Sequence, residues 1–312
     1  MTNLDKIIDV FCALDDFYKE FYVETQKHMI EQNCSVKKRN RQFAMSESEV
    51  MTIAILFHLG GYKCFKHYYI YHVQKHMTSE FPKTVSYNRF VELMPKVMLA
   101  ISIFAKTFAL GSCTGITFID STKIVVCHNK RIKANKVFKD YAKTGKSTMG
   151  WFHGFKLHLV INEKGEILDF VVTPGNTDDR EPLKSGCIIK KIFGKIFGDK
   201  GYIGQELIEK LFIDNVHLIT QGRKNMKDNL MLLYDRIMLR KRSLIETVND
   251  ELKNMCQIEH TRHRSVVNFL VNLFAGLIAY NFLPKKPSIK CEVIDRKKLG
   301  LNQNIDNKPV LF

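Results

Sequence analysis

The spacing of apolar residues changes along this chain, from a helical period in the first third to an alternating, strand-like period afterwards. Between residues 4 and 17 apolar side chains recur every three or four positions, and similar runs follow up to about residue 112. Ser46 and Glu49 have the spacing of a capping box, and Ser86 is placed to cap a later helix. We therefore expect residues 1–112 to form an all-helical region.

Strand patterns begin after the polar turn that ends the helical region. Apolar and alternating segments predict five strands, at 116–126, 154–161, 167–172, 195–198 and 216–220. Helical patterns lie at 180–192, 205–213 and 239–253. The first three strands are consecutive and the last two alternate with helices, an order that favours an α/β (α+β) mixed sheet covered by helices. Three regions result: helical residues 1–112, the sheet region 113–284, and a polar, basic tail at 285–312.

The charge of the chain indicates the class of its partner. A net charge of +16 over 312 residues favours binding to a polyanion, most simply nucleic acid. Short helices with basic faces fit a helix-turn-helix-like DNA-binding unit in residues 1–112, although an ordinary helical domain with solvated lysines has the same pattern. The basic run at 37–41 is either a loop that lies on phosphates or a solvated linker.

Apolar and cysteine content point to a cytoplasmic protein. The apolar run from Val266 to Leu283 is interrupted by asparagines, so it predicts a buried helix rather than a membrane span. The eight cysteines contain no Cys-x-x-Cys pair, which argues against a zinc site of that spacing. No export signal is seen in the first residues, so we expect reduced thiols.

Asp120 is the first candidate for chemistry, because it lies in the first predicted strand. Alternate residues of a strand share a face, so this carboxylate points the same way as Ile116 and Phe118. An acid among apolar side chains is costly to desolvate unless it has a partner. The partner is either a nearby Lys or Arg or a metal ion, and the strand pattern is compatible with both.

Two further acids are candidates for the same site. Asp199 comes directly after the fourth strand, where the end of a strand in an α/β sheet favours a site, although a plain turn aspartate fits as well. Glu246 lies on the predicted helix at 239–253, in a polar stripe formed by Arg242, Glu246, Asn249 and Lys253. That stripe is either a solvated face of i, i+4 pairs or a metal ligand flanked by phosphate-binding bases.

Three carboxylates on separate elements fit phosphodiester chemistry. Two divalent cations about 3.5–4 Å apart can activate an attacking oxygen and stabilise a leaving one. Mg²⁺ takes oxygen ligands and few of them from protein, so Asp120, Asp199 and Glu246 could together hold such a pair. The neighbouring bases would then position phosphates.

Longer motifs around these acids resemble one family. Five segments carry the resemblance, which runs nearly from end to end: 118–122, 145–158, 198–203, 242–250 and 258–265. They are similar to the DDE transposases of bacterial insertion sequences, and most like the insertion-sequence nine-eight-two family. The resemblance implies an RNase H-like mixed five-stranded sheet with flanking helices. It also implies that Asp120, Asp199 and Glu246 are the catalytic acids and the ligands of Mg²⁺ or Mn²⁺, as a pair of ions.

Basic residues near the acids are the predicted DNA contacts. Related transposases carry a Tyr-x2-Arg-x3-Glu-x6-Lys pattern, which Arg242, Glu246 and Lys253 match and in which Leu239 replaces the tyrosine. Together with the basic stretches at 129–150 and 260–264, the predicted contacts are Lys130, Arg131, Lys200, Arg242, Lys253, Arg262 and Arg264.

The function that the resemblance implies is DNA transposition. The chain would bind the terminal inverted repeats of an insertion sequence, cleave a strand at each end with a metal-activated water, and join the freed 3′-OH to target DNA. A homodimer or higher oligomer on DNA, at the bacterial nucleoid and with no membrane partner, is part of this expectation. The alternatives are a related nuclease that cuts without joining and a catalytically inactive DNA-binding regulator.

Three other features have more than one interpretation. The acids in 176–181 precede a predicted helix, where we expect N-capping and dipole compensation rather than catalysis. Residues 260–264 suit a basic, phosphate-facing helix entry better than a metal site or a plain solvated turn. Trp151, the only tryptophan, is expected to be buried, with stacking on an unpaired base as the alternative.

Overall fold

Helices form the first third of the chain, as predicted. The computed structural model describes residues 4–31, 44–148, 150–222, 231–259 and 263–289. The α-helices of this region are α1 (Leu4–Glu31), α2 (Glu47–Leu59), α3 (Phe65–Tyr68), α4 (Gln74–His76), α5 (Tyr87–Leu93) and α6 (Met98–Thr107). A π-helical turn over Tyr69–Val73 joins α3 to α4, and a 3₁₀ turn over Met94–Val97 joins α5 to α6. The basic run 37–41 lies outside the described residues.

Two of the predicted helix starts are confirmed by their caps. The Ser46 N–H donates to Oε2 of Glu49 at 2.7 Å, and the Glu49 N–H donates to Oγ of Ser46 at 3.1 Å. At α5, the Arg89 N–H donates to Oγ of Ser86 at 3.4 Å. Each cap satisfies backbone donors that the first turn of a helix leaves free. Pro95 lies in the 3₁₀ turn, where it divides α5 from α6.

A six-stranded mixed sheet follows the helices. Its strands are β1 (Ile116–Cys127), β2 (Lys143–Ser147), β3 (Gly150–Asn162), β4 (Ile167–Pro174), β5 (Gly194–Gly198) and β6 (Val216–Thr220). β3 runs antiparallel to β1, β2 and β4, whereas β1, β5 and β6 are parallel to one another. β1 is therefore an inner strand, between β3 and β5. All five predicted strands are present.

β2 is the strand that the sequence did not predict. It contains two lysines and no large apolar side chain, so it carries no strand pattern. It pairs with residues 150–154 of the long strand β3, beyond the part of β3 that pairs with β4. Trp151 lies opposite Lys146 in this pair and is 63% exposed, so the expected burial of Trp151 is wrong.

The later helices differ in length from the predicted ones. They are α7 (Glu181–Lys184), α8 (Gln205–Ile213), α9 (Leu233–Lys241), α10 (Ser243–Asn254) and α11 (Val266–Asn281). α8 has its predicted bounds. α7 covers four residues of the predicted helix at 180–192, and it ends just before Gly186, whose φ of 72° is typical of a residue that stops a helix. The helix predicted at 239–253 is divided into α9 and α10 at Arg242.

Two apolar clusters lie on the two faces of the sheet. The larger one includes α11, which packs against α2 and α6, together with Phe118 of β1 and Val248 of α10. The N-terminal helices therefore share a core with one face of the sheet. The second cluster covers the other face and includes Ile119 of β1 and Leu207 of α8. The domain boundary expected at residue 112 stays a prediction.

The architecture is the mixed α/β arrangement that the sequence predicts. A curled sheet of antiparallel and parallel strands is flanked by helices and preceded by a helical region, which is compatible with an RNase H-like fold. The predicted buried helix at 266–283 is confirmed by α11. Within the described residues, no helix is long and apolar enough to cross a membrane.

Candidate active site

Asp120 and Asp199 occupy corresponding positions on two neighbouring strands. The parallel register pairs Phe118 of β1 with Phe197 of β5, and the two aspartates follow these residues by two positions each. β5 ends at Gly198, so Asp199 begins the loop at the carboxyl end of that strand. The sheet thereby brings together two acids that are 79 positions apart in the sequence.

Asp199 is exposed and starts a turn. Its Oδ1 accepts the Lys200 N–H at 2.7 Å, and a 3₁₀ turn follows over Lys200–Tyr202. The glycine before it is closely packed, because a Cβ at Gly198 would lie 3.2 Å from Cδ2 of Tyr202. Gly201 has open space around its Cα. Of the two glycines that flank Asp199 and Lys200, it is therefore Gly198 whose missing side chain allows close packing.

Glu246 lies on α10, which packs against β1. The helix buries its apolar face, which is formed by Leu244, Ile245, Val248 and Leu252. On the other side, the Glu246 side chain is 56% exposed, and Nη2 of Arg242 donates to its Oε1 at 2.9 Å. This contact is the i, i+4 pair that one interpretation of the polar stripe predicts.

The electrostatics of Asp120 connect it to the other candidates. The pKa of Asp120 is raised to about 6, chiefly because burial disfavours its charged form. The charge of Arg242 and a backbone hydrogen bond from Ser121 lower this pKa, whereas the charges of Glu246 and Asp199 raise it. The three predicted acids and Arg242 are therefore electrostatic neighbours in the folded chain.

Asn249 is a contact of Asp120 that the sequence did not predict as a site residue. Its Nδ2 donates to Oδ2 of Asp120 at 3.3 Å. The side chain is buried, and within the described residues its Oδ1 has no hydrogen-bond partner. The signal was its place on the polar stripe of α10, three residues after Glu246. The sequence does not show that this polar residue is buried, because its burial depends on how α10 packs on β1.

A second polar cluster follows Asp120 on the opposite face of β1. Oγ of Ser121 donates to Oδ1 of Asp179 at 2.7 Å, and Nζ of Lys156 donates to the same oxygen at 2.9 Å. The neighbouring Asp178 instead pairs with Arg180 at 2.7 Å, which lowers the pKa of Asp178 to about 2. Asp179 thus joins β1 to β3, and the N-capping expected for these acids is not its role.

Tyr202 packs in the apolar cluster that contains Ile119 and Leu207. Its hydroxyl is buried and has no hydrogen-bond partner among the described residues. Burial raises the pKa of Tyr202 well above its ordinary value, and the charges of Asp120 and Asp179 raise it further. Tyr202 is therefore a neighbour of both acids. It belongs to the 198–203 motif, which was the only signal for it in the sequence.

The basic residues that are predicted to contact DNA fall into two groups. Arg242 and Lys253 have acidic partners on or near α10: Arg242 pairs with Glu246, and Nζ of Lys253 lies 3.6 Å from Oε2 of Glu259. Four others are exposed, namely Lys130, Arg131, Lys200 and Arg264. Arg262 lies outside the described residues. The two residues of the first group are thus paired with acidic side chains of the chain itself. The four exposed residues are open to a partner.

The oxygen atoms around Asp120 have the chemistry that Mg²⁺ or Mn²⁺ prefers. A cation here would stabilise a carboxylate whose charged form is disfavoured by burial, and the unpartnered Oδ1 of Asn249 is a further oxygen donor nearby. Glu246 and Asp199 hold partners of their own. Among the described residues, no group of three or more His, Cys, Asp or Glu side chains is placed so that it could hold a metal ion.

Comparison with known families gives one match. A family model described as a transposase DDE domain matches residues 110–266, which is about half of the chain and includes the three predicted acids. The matched segment spans the sheet from β1 to β6 and continues through α10. No curated protein matches the sequence.

Proposed function

We propose, from the premise that the chain belongs to the DDE-domain transposase family, that it cleaves DNA at the ends of an insertion sequence and joins them to a target. The observation that carries the proposal is the half-buried carboxylate of Asp120, whose pKa is shifted by the charges of both Asp199 and Glu246. Acids from within β1, from the loop after β5 and from α10 thus act on one point. Membership of the nine-eight-two family and a bacterial source belong to the same proposal.

In this proposal, Asp120, Asp199 and Glu246 are the catalytic acids and would hold Mg²⁺ or Mn²⁺, as a pair of ions. Such ions, when bound, supply an activated water for hydrolysis and stabilise the charge that develops on the phosphate. Glu246 must exchange its ion pair with Arg242 for this role. The side chain is more than half exposed, so little packing opposes that movement.

Basic side chains of the chain would orient the DNA. Arg242, once released by Glu246, is near enough to influence Asp120 and so to reach a phosphate bound there. Lys200 follows Asp199 directly and is exposed. Lys253 stands one turn beyond Asn249 on α10, where it helps to position the helix through Glu259. Basic side chains that contact phosphates fix the register of a DNA strand without reading its sequence.

The remaining parts of the chain have supporting roles in the proposal. Residues 1–112 would bind the terminal inverted repeats, and Lys130, Arg131, Arg262 and Arg264 would contact the DNA backbone. The net charge of +16 is consistent with such a partner. Because the two ends of an insertion sequence would be processed together, the proposal includes a homodimer or higher oligomer on DNA, in the bacterial cytoplasm.

The proposal is tested with DNA that carries the inverted repeats flanking the gene. In the presence of Mg²⁺ we expect strand cleavage at the repeat ends, followed by joining of the 3′-OH to a second duplex. Asp120→Asn, Asp199→Asn and Glu246→Gln should each abolish both steps while DNA binding, measured by fluorescence anisotropy, is retained.

Two results would replace the proposal with its alternatives. Cleavage without joining, on a substrate with correct ends, would make the chain a nuclease of related fold. DNA binding with no cleavage by the wild type in Mg²⁺ and Mn²⁺ would make it a DNA-binding regulator with an inactive catalytic fold. Unchanged cleavage in all three acid variants would show that these acids are not the catalytic ones.

A further inference from the structure

A dense group of unpaired cations lies on one segment that the catalytic acids do not use. We call residues 129–151 the basic hairpin segment, because it ends in the β2–β3 hairpin. Its cations are all exposed and are Lys130, Arg131, Lys133, Lys136, Lys139, Lys143 and Lys146. Asp140 is the only acid of the segment. Among the described residues, none of these seven cations forms an ion pair, so their charge is available to a polyanion.

Trp151 projects from the same hairpin. As the only tryptophan of the chain it is 63% exposed, although a tryptophan side chain is normally a large contributor to burial. Nζ of Lys146, on the facing strand, lies 5.9 Å from the centre of its ring. An exposed aromatic ring beside a row of cations is the combination by which proteins bind nucleic acid with unpaired bases.

The hairpin is held firmly by the body of the protein. A Cβ at Gly145 would lie 1.9 Å from the backbone oxygen of Gly175, so β2 lies directly against the end of β4. Phe138 is buried, with its ring 5.4 Å from that of Phe269 on α11. Nδ2 of Asn129 donates to the backbone oxygen of Trp151 at 2.8 Å. The exposed ring is therefore presented by an ordered backbone rather than by a loose loop end.

The position of Trp151 along β3 gives its distance from the catalytic acids. Leu159 of β3 lies beside Asp120 of β1, and Trp151 precedes Leu159 by eight residues. At about 3.3 Å per residue the two positions are up to about 26 Å apart. With about 3.4 Å per base pair, this distance corresponds to seven or eight base pairs of duplex. The hairpin is therefore placed to contact DNA up to seven or eight base pairs from the reacting phosphate.

We infer that the basic hairpin segment is a second DNA contact, at which Trp151 stacks on an unpaired base while the neighbouring lysines bind phosphates. The contact lies up to seven or eight base pairs from the scissile phosphate. The inference rests on the proposed function, in that the strand bound here is part of the DNA held at the acids. It adds an element that recognises distorted or single-stranded DNA to a site that otherwise contacts only phosphates.

Because Trp151 is the only tryptophan, the tryptophan fluorescence of the full chain, excited where its tyrosines do not absorb, reports on this ring alone. The Asp120→Asn protein is titrated without divalent cations, so that the DNA stays intact. The probes are a single-stranded oligonucleotide, a duplex with one unpaired base, a fully paired blunt-ended duplex, and heparin as a polyanion without bases. We expect at least threefold stronger quenching by the first two probes than by the last two.

Variants give an independent measurement. Trp151→Ala should weaken binding of the single strand by about 5- to 150-fold, which corresponds to about 1–3 kcal/mol for one stacked base. Trp151→Phe, which keeps a ring, should restore most of that loss. Tyr141→Ala is the matched control, since Tyr141 is also exposed on the segment, and it should change affinity less than twofold. Circular dichroism establishes that each variant is folded.

The outcomes separate this inference from the proposed function. If the wild type cleaves repeat ends but Trp151 fluorescence is unchanged by every probe, or is quenched equally by heparin, the stacking inference is wrong and the proposed function stands. The same holds if Trp151→Ala binds the single strand as tightly as the wild type. If the chain neither binds nor cleaves DNA, both are wrong.

Discussion

Asn249 on α10 donates a hydrogen bond from Nδ2 to Oδ2 of Asp120 on β1 at 3.3 Å. This bond connects the helix that carries Glu246 to the strand that carries Asp120, across 129 positions of sequence. Because Asn249 is buried, the contact excludes water from one side of the carboxylate. The orientation of α10 on the sheet and the environment of Asp120 therefore depend on the same amide group.

Removal of that amide should weaken both the fold and the site. Asn249→Ala is expected to lower the free energy of unfolding by about 1 kcal/mol, the usual net value of a hydrogen bond in a protein. Cleavage should fall as well, because α10 loses a contact that holds Glu246 beside Asp120. Urea denaturation and the cleavage assay measure the two effects.

Asn254→Ala is the matched control for this prediction. Asn254 lies on the same helix, and its Nδ2 donates to Oδ1 of Asp250 on the exposed surface at 2.6 Å. Its replacement should change stability by less than about 0.5 kcal/mol and leave cleavage unchanged. Equal effects of the two variants would show that the contact with Asp120 has no special importance.

The raised pKa of Asp120 predicts a pH dependence of stability. Its value of about 6 exceeds the ordinary 3.8, so the folded chain binds a proton more tightly than the unfolded chain. The stabilisation that results is fully present below about pH 4 and is lost as the pH rises to about 6 and beyond. Unfolding free energies of the wild type and Asp120→Asn, compared between pH 4 and 7 without divalent cations, measure it.

Other groups titrate in this range, so the difference between the two proteins is the quantity that matters. The wild type should lose stability relative to Asp120→Asn as the pH rises, with a slope of at most about 1.4 kcal/mol per pH unit for one proton. A difference that stays constant across the range would contradict a raised pKa for Asp120.

Replacement by asparagine should mainly reduce stability at Asp179 and mainly reduce cleavage at Asp199. Asp179 accepts hydrogen bonds from Ser121 and Lys156, so Asp179→Asn is expected to lower stability by about 1–3 kcal/mol. Asp199 is exposed and accepts only a local backbone bond in the described structure, so Asp199→Asn should cost less than about 1 kcal/mol but abolish cleavage.

This pair of variants also decides which acid is catalytic. Thermal unfolding and cleavage are measured for both proteins under the same conditions. Full cleavage by Asp199→Asn, together with a complete loss of cleavage in a folded Asp179→Asn, would transfer the catalytic role to Asp179.

The buried hydroxyl of Tyr202 gives a prediction of the opposite sign. A buried polar group without a partner destabilises the fold, so Tyr202→Phe should raise the free energy of unfolding by about 1 kcal/mol. Tyr68→Phe is the control, because its hydroxyl is buried in the same way among the N-terminal helices. Calorimetry of the three proteins tests this. A loss of stability in Tyr202→Phe alone would show that its hydroxyl has a partner.

The amino-acid sequence by itself determined the elements that depend on local periodicity. The five predicted strands, the cap formed by Ser46 and Glu49, and the buried helix α11 all follow from apolar spacing and turn residues, because these patterns act over a few positions. Motifs likewise indicated Asp120, Asp199 and Glu246 as candidates. Their role in catalysis stays a prediction.

Only the tertiary structure decided what depends on partners distant in sequence. β2 has no strand pattern and exists because β3 extends far enough to pair with it. Asn249 became a contact of Asp120 through the packing of α10 on β1, and Asp179 was drawn to Lys156 instead of a helix end. Trp151 is exposed because its strand runs beyond the core. Burial and pairing of polar groups depend on the whole fold, and local sequence carries no signal for them.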